Sequence, residues 1–259
     1  MKIVLIGSGN IATHLGKAFS DAGHQIVQVY SKTLANASAL ANVLDSEAID
    51  NLNQIDLDSD LYLVAVTDSA ISHVADGIPK NLKGIVAHCS GATDISVLKD
   101  FNQHGVIYPV QSFSKDKDLD LSHTPFGIET NTEFNYDILL GLAGQVSDYV
   151  FRCNTKQRLA LHISAVFANN FSNALFQISY DLLAEHELSF DMIRPIILET
   201  AEKVQNHIPK DVQTGPALRN DNSTMLTHFN FISSHPDWQL IYQKISDLII
   251  KTRENKSEN

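Results

Sequence analysis

The chain has 259 residues, 44% hydrophobic and 19% charged: enough apolar material for a buried core, and more length than one typical domain needs. Its 19 Lys and Arg against 30 Asp and Glu give a formal net charge of −11, which argues against a broad nucleic-acid face or a patch for anionic membranes. Two cysteines, Cys89 and Cys153, with no C-x-x-C pair argue against a disulfide framework or a structural zinc site, so no metal is expected.

No apolar run approaches the ~20 residues of a membrane helix. Gly7 and Gly9 interrupt the first apolar run, which does not read as a signal peptide. The expectation is a soluble protein of a reducing compartment, the cytoplasm.

The first 152 residues alternate strand-like and helical patterns, the signature of a doubly wound parallel α/β sheet. Strands are predicted at Lys2–Ile6, Gln25–Tyr30, Leu61–Val66, Gly84–His88, Gly105–Tyr108 and Phe126–Glu129, with a faint one at Glu47–Ile49. Helices are predicted at Ile11–Ala22, Leu34–Leu44, Ile71–Ile78, Ile95–Asn102 and Phe134–Val146. After Arg152 the strands stop. Lys156–Glu187 reads as one long helix or two abutting ones, and Met192–Asn206 as another with Pro195 near its start. A polar loop covers Val212–Asn222, a last helix lies around Trp238–Thr252, and the charged tail from Arg253 is expected to fray. The predicted division is 1–152 for an α/β domain and 153–259 for an all-helical one.

Gly7-Ser8-Gly9-Asn10-Ile11-Ala12 follows the first strand and opens the first helix. In that setting Gly7 permits a sharp turn, Gly9 lets a pyrophosphate approach the backbone, and Ala12 keeps the helix close to the strand. The N–H groups of the first helical turn then face the anion. A bare tight turn would use the same glycines. The second strand ends in Ser31-Lys32-Thr33 with no carboxylate. Two hydroxyls and an ammonium suit a 2′-phosphate, which predicts NADP(H) over NAD(H); the alternative is an ordinary surface lysine. Val66 and Thr67, at the end of the fourth strand, are expected to line the cofactor, and Asp68 or Ser69 to cap the helix that follows.

Two further strand ends are polar: His88-Cys89-Ser90-Gly91 and Tyr108-Pro109-Val110-Gln111-Ser112-Phe113-Ser114. Ser90 and Gln111 are candidates to orient a substrate. Cys89 has no partner nearby in sequence and reads as a small buried hydrophobe. On the long helix, advancing 100° per residue from His162 places Asn169, Asn173 and Tyr180 within about 20° of it. Gln177 and Asn170 follow at about 60° and 80°. Val166 and Phe176 intrude on this polar stripe, which suits a cleft wall or a subunit interface better than a solvated face. In Gln213-Thr214-Gly215-Pro216-Ala217-Leu218-Arg219-Asn220-Asp221, Arg219 either grips a substrate carboxylate or pairs with Asp221.

The segments GSGNIATHLGKAF, HCSGA, PVQSFS, HISAVFANNF and QTGPALRND together resemble a group of Rossmann-like proteins with a C-terminal helical domain of unknown function. That group is similar to pyrroline-5-carboxylate reductase and, more distantly, to the 6-phosphogluconate and hydroxyacid dehydrogenases. The resemblance implies NADP-dependent oxidoreductase chemistry on a small molecule and a homodimer formed through the helices. It also implies a substrate-serving Lys and Asn on the long helix. This sequence has Lys156, His162 and Asn170 there but no Lys-x-x-x-Asn. On these residues the expected enzyme reduces a small C=N or C=O compound. His162, held by Asn170, gives the proton, Ser90 and Gln111 orient, and Arg219 anchors an acid group. The rival expectation is an NADP(H)-binding sensor without catalysis.

Overall fold

The structure is a computed structural model describing residues 1–114 and 119–257. It divides into two compact units, Met1–Asn169 and Asn170–Asn259.

The first unit is built on one eight-stranded sheet. Its strands are β1 (Lys2–Ile6), β2 (Gln25–Tyr30), β3 (Glu47–Ile49), β4 (Leu61–Val64), β5 (Ile85–His88), β6 (His104–Pro109), β7 (Phe126–Thr130) and β8 (Val150–Arg152). They lie in the order β3-β2-β1-β4-β5-β6-β7-β8. All neighbours are parallel except β6 and β7. The apolar run of β1 is continuous because both of its faces are covered. Ile3 and Leu5 pack with Ala12, Leu15 and Phe19, while Val4 and Ile6 pack with Tyr62, Val64 and Ile71. Helices α1 (Asn10–Asp21), α2 (Leu34–Leu44), α3 (Asp68–Gly77) and α4 (Glu133–Ala143) connect the strands. The chain runs outward from β1 to β3, then returns to β4 on the other side. The carboxyl ends of β1 and β4 therefore flank the switch point where open sheets of this kind take their ligands.

Three predicted features change. Ile95–Asn102 forms only a 3-10 turn, Ile95–Leu98, because the Asp94 side chain accepts the Ser96 N–H at 2.8 Å and closes a local bend instead of opening a helix. β8, three residues long, is absent from the sequence reading. Helix α3 begins at Asp68, so Thr67 takes the N-cap position predicted for Asp68 or Ser69, and its side chain makes no capping bond.

The predicted long helix is divided. α5 (Thr155–Ala165) carries an Asn154–Gln157 capping box and runs into a π-helical segment, Val166–Phe171. The second unit then holds α6 (Ser172–Glu185), α7 (Arg194–Asn206), the single turn α8 (Pro216–Arg219), α9 (Asn222–Phe231) and α10 (Pro236–Ser257). α9 was not anticipated, although Asp221 caps it through the Thr224 N–H and hydroxyl. α10 continues through the segment expected to fray, whose last two residues lie outside those described. Among the described residues, no helix is long and apolar enough to cross a membrane.

Candidate active site

The glycine turn has the geometry its sequence calls for. Gly7 sits at φ 126°, and a Cβ there would lie 2.3 Å from the Ala65 carbonyl oxygen, so both backbone conformation and space demand glycine. Gly9 is the N-cap of α1, and a Cβ on it would meet nothing within 4 Å. The space that a Gly9 side chain would take is therefore open. Ala12 is fully buried against the sheet. Ser8 Oγ donates to Ser31 Oγ at 3.1 Å, joining the glycine turn to the end of β2. Asn10 Nδ2 donates to the Phe113 carbonyl at 2.7 Å, and His14 Nε2 lies 2.8 Å from the Ser114 carbonyl. The predicted PVQSFS segment is thereby stapled to α1.

Helices α1, α2 and α3 begin at Gly9, Thr33 and Thr67 with no side-chain capping bond. Elsewhere Thr132 caps α4, Asn154 caps α5 and Asp221 caps α9, whereas α6, α7 and α8 also begin without a side-chain cap. The first-turn N–H groups of α1, and those of Leu34 and Ala35 in α2, are left for an external acceptor; the Asn36 N–H turns back to the Thr33 carbonyl at 3.0 Å, and neither first turn holds an acidic residue. Lys32 and Thr33 are exposed beside the start of α2, and Ser31 is half-buried. Val66 is half-buried and Thr67 exposed. This donor set fits a dinucleotide carrying a phosphate at each of two helix N-termini.

The turn after β5 is locked from within. His88 Nδ1 accepts the Ser90 N–H at 3.1 Å, which leaves the proton of the neutral ring on Nε2. Burial, and then the charge of Arg158, push His88 down to about 3, so it is neutral at physiological pH. Ser90 is buried, and its Oγ accepts the N–H groups of Ala92 and Thr93 at 3.1 and 2.9 Å. Its hydroxyl shapes the turn, a task the sequence did not reveal. Cys89 is buried and its thiol is held well above the ordinary range by burial, as a small hydrophobe rather than a nucleophile.

Arg158, on the second turn of α5, is fully buried and grips that turn. Its Nη1 donates to the carbonyls of Ser90 and Thr93, both at 2.8 Å. Its Nη2 donates to Glu129 of β7 at 2.9 Å. Glu129 also accepts the backbone N–H and hydroxyl of Thr155, at 2.9 and 2.8 Å. One turn beyond Arg158, the His162 ring lies directly on Gly91: a Cβ there would be 2.6 Å from His162 Nδ1. Tyr108, at the end of β6, places its Oη 3.2 Å from the same Nδ1.

His162 was expected to be held by Asn170. Its hydrogen-bond partner is Tyr108, and Asn170 lies exposed in the π-helical segment, within the second unit. Gln111 is exposed, its Oε1 accepting the Ser112 N–H. Arg219 is exposed at the end of α8; no ion pair with Asp221 forms, although its charge helps lower Asp221 after the bonds from Thr224. Tyr108, Arg158 and Glu129 escaped the sequence reading. The one local signal was the spacing of Arg158 and His162, four residues apart on one helical face.

Residues 1–111 match a Rossmann-like domain and residues 124–249 a domain of unknown function, DUF2520. Among solved structures, the "putative NADP oxidoreductase BF3122" of Bacteroides fragilis is 34% identical, with 96% of this chain and 98% of that one covered and a TM-score of 0.87. The chain belongs to the Rossmann-like family with a DUF2520 C-terminal domain. In this Rossmann–DUF2520 protein the Tyr108–His162 contact joins the two matched regions.

More distant structures share its fold. The reductive aminase of Aspergillus terreus, in complex with NADPH and ethyl-5-oxohexanoate, is 11% identical over 96% of this chain and 93% of its own, with a TM-score of 0.73. The 1-pyrroline-5-carboxylate reductase of Streptococcus pyogenes is 13% identical over 98% of each chain, with a TM-score of 0.64. No curated protein matches the chain in sequence.

Proposed function

We propose that this protein is an NADP(H)-dependent oxidoreductase that reduces the C=N or C=O group of a small imino or keto acid. The observation that carries the reading is the open, uncapped first turn of α1 behind Gly7 and Gly9, at the switch point of the sheet. Gly7, Ser8, Gly9, Asn10, Ile11 and Ala12 would hold the pyrophosphate. Ser31, Lys32, Thr33 and the uncapped start of α2 would hold the 2′-phosphate, and Val66 and Thr67 would line the cofactor. Bound there, reduced nicotinamide supplies a hydride. The names of the aminase and the pyrroline carboxylate reductase, which share the fold, support the reaction class.

The chain's own part is binding, orientation and the proton. His162 is assigned as proton donor, since its imidazole can hold and release a proton beside the turn after β5. Gln111 and Asn170 are assigned to orient the substrate and Arg219 to its acid group, while Ser90 serves by fixing the turn under His162. Residues 1–152 form the cofactor domain and residues 153–259 the substrate and dimerisation domain of a homodimer. Two free, buried cysteines suit a reducing compartment such as the cytoplasm.

Titration with NADPH and NADH separately, by nicotinamide fluorescence, tests the reading. NADPH is expected to bind more tightly, and Lys32→Asp to weaken NADPH by roughly tenfold or more while sparing NADH. Equal losses for the two cofactors would remove the 2′-phosphate assignment. Tight NADPH binding without turnover on any imino or keto acid would favour a sensor.

A further inference from the structure

We propose that Tyr108 is a positioning residue for His162: its hydroxyl occupies Nδ1 and so makes Nε2 the nitrogen that delivers the proton. The inference rests on the oxidoreductase reading for its chemical meaning, and on three geometric observations for its substance.

The first is the contact itself, Oη to Nδ1 at 3.2 Å, with the rings edge-on at 6.1 Å between centroids and 71° between planes. The second is the seat. The ring rests on Gly91, where a Cβ would come within 2.6, 2.7 and 2.8 Å of His162 Nδ1, Cγ and Cβ. No other residue type at 91 leaves the ring where Tyr108 reaches it. The third is the anchoring of both parts. Arg158 bonds the Ser90 and Thr93 carbonyls on either side of Gly91 and fixes α5 one turn before His162. Tyr108 is itself 7% exposed in a strand paired on both sides.

Nδ1 is engaged in either protonation state. In the neutral ring the phenol O–H donates to Nδ1 and the proton sits on Nε2. In the imidazolium Nδ1–H donates to the phenol oxygen and Nε2 again carries the exchangeable proton. In the proton step the imidazolium gives up Nε2–H and an N–H or O–H bond forms on the substrate heteroatom, leaving a neutral ring whose remaining proton, on Nδ1, is donated to the phenol oxygen; Nε2 then takes a proton from solvent. Reduced nicotinamide, where bound, would supply the hydride for the adjacent carbon. Tyr108 stays protonated throughout, because burial holds its phenol above the ordinary value. Among the charges around it, Arg158 lowers it, while Asp68 and Cys153 raise it further. Glu129 and Asp94 face Arg158 and the turn, and His88 is neutral.

The test is 15N NMR of histidine-labelled protein, wild type against Tyr108→Phe, with His162→Asn to assign the signals. Wild-type His162 is expected to show one protonated ring nitrogen and one hydrogen-bonded acceptor. In Tyr108→Phe both shifts are expected to move toward those of a freely exchanging imidazole. On a substrate found by the imino- and keto-acid screen, Tyr108→Phe is expected to lose roughly tenfold or more in kcat. KM and NADPH affinity should hold, the His-dependent limb of the pH profile should move, and no loss should add to that of His162→Asn. If Tyr108→Phe does not fold, Gly91→Ala displaces the ring from the same contact and should give the same spectral change. Identical His162 spectra in wild type and Tyr108→Phe would overturn the inference. Failure of wild type to bind NADPH would instead overturn the oxidoreductase reading and with it the catalytic meaning of the pair; the spectra would still decide whether Tyr108 holds the ring.

Discussion

At the scale of single residues, His88 shows how a site is stiffened by groups that never touch a ligand. It is fully buried, accepts one backbone N–H, and is pushed down to about 3 by burial and then by Arg158. A histidine lowered in the fold stays neutral as pH falls, while the unfolded chain takes up a proton near 6.5. Its stabilisation is therefore complete above pH 6.5 and drains as pH falls toward 3. The size is about 1.4 kcal/mol per pH unit through that window, or roughly 3 kcal/mol by pH 4. His88→Asn keeps an acceptor near Nδ1 without the titration. Urea midpoints at pH 7 and pH 4.5 should converge in the variant relative to wild type, and parallel losses in both would place the acid sensitivity elsewhere. The sequence made Gly7 and Gly9 legible, because their constraint is local: a strand, a turn and a helix within a dozen residues. The roles of Ser90 and Gly91 were not legible. One caps its own turn and the other seats a ring 71 residues later, and only the folded chain brings those partners together.

At the scale of elements, α5 is held by a buried ion pair. Arg158 is fully buried and Glu129 nearly so, and every oxygen and nitrogen of the pair that contacts the chain is hydrogen-bonded. Removing one partner strands the other charge in the interior. Arg158→Met should destabilise the protein by about 3–5 kcal/mol in chemical unfolding, because Glu129 and two carbonyls lose their donor. Arg152→Ala breaks the exposed pair with Glu133 and should leave the midpoint close to wild type. Equal effects would mean that the buried pair does not anchor α5. Strands and helices with a clear period were legible in the sequence, and their boundaries moved by only a few residues. The π-helical segment was not. A wheel at 100° per residue assumes an unbroken α-helix, but Val166–Phe171 takes in more residues per turn. The stripe drawn from His162 to Tyr180 therefore changes phase midway. His162 and Asn173 belong to two helices, and the second half of the pattern describes α6 alone.

At the scale of the whole molecule, the helical unit exposes what a core would bury. Among the described residues past 170, the buried apolar side chains are Ala217 and Ile232. Phe171, Leu175, Phe176, Tyr180, Ile196 and Leu198 are all exposed. Helix α6 borders an open cavity on each flank. Leu175, Ile178 and Leu182 line one of about 670 Å³ shared with Trp238 and Tyr242; Phe176 and Tyr180 line one of about 600 Å³ shared with Ile197 and Leu198. A helix apolar on both flanks belongs inside a bundle. A unit of this size without a core gains little stability from its own burial. The sequence showed the apolar residues but not that they go unburied, since periodicity reports a face and not what covers it. A second copy of the chain is the occupant expected here. The melting temperature should then rise with protein concentration, as it does when folding and association are linked, and light scattering should give a dimer. Leu175→Asp puts a charge into the larger cavity of α6 and should lower both the dimer fraction and the melting temperature. A monomer whose melting temperature is independent of concentration would show instead that the helical unit is stable with its apolar flanks open.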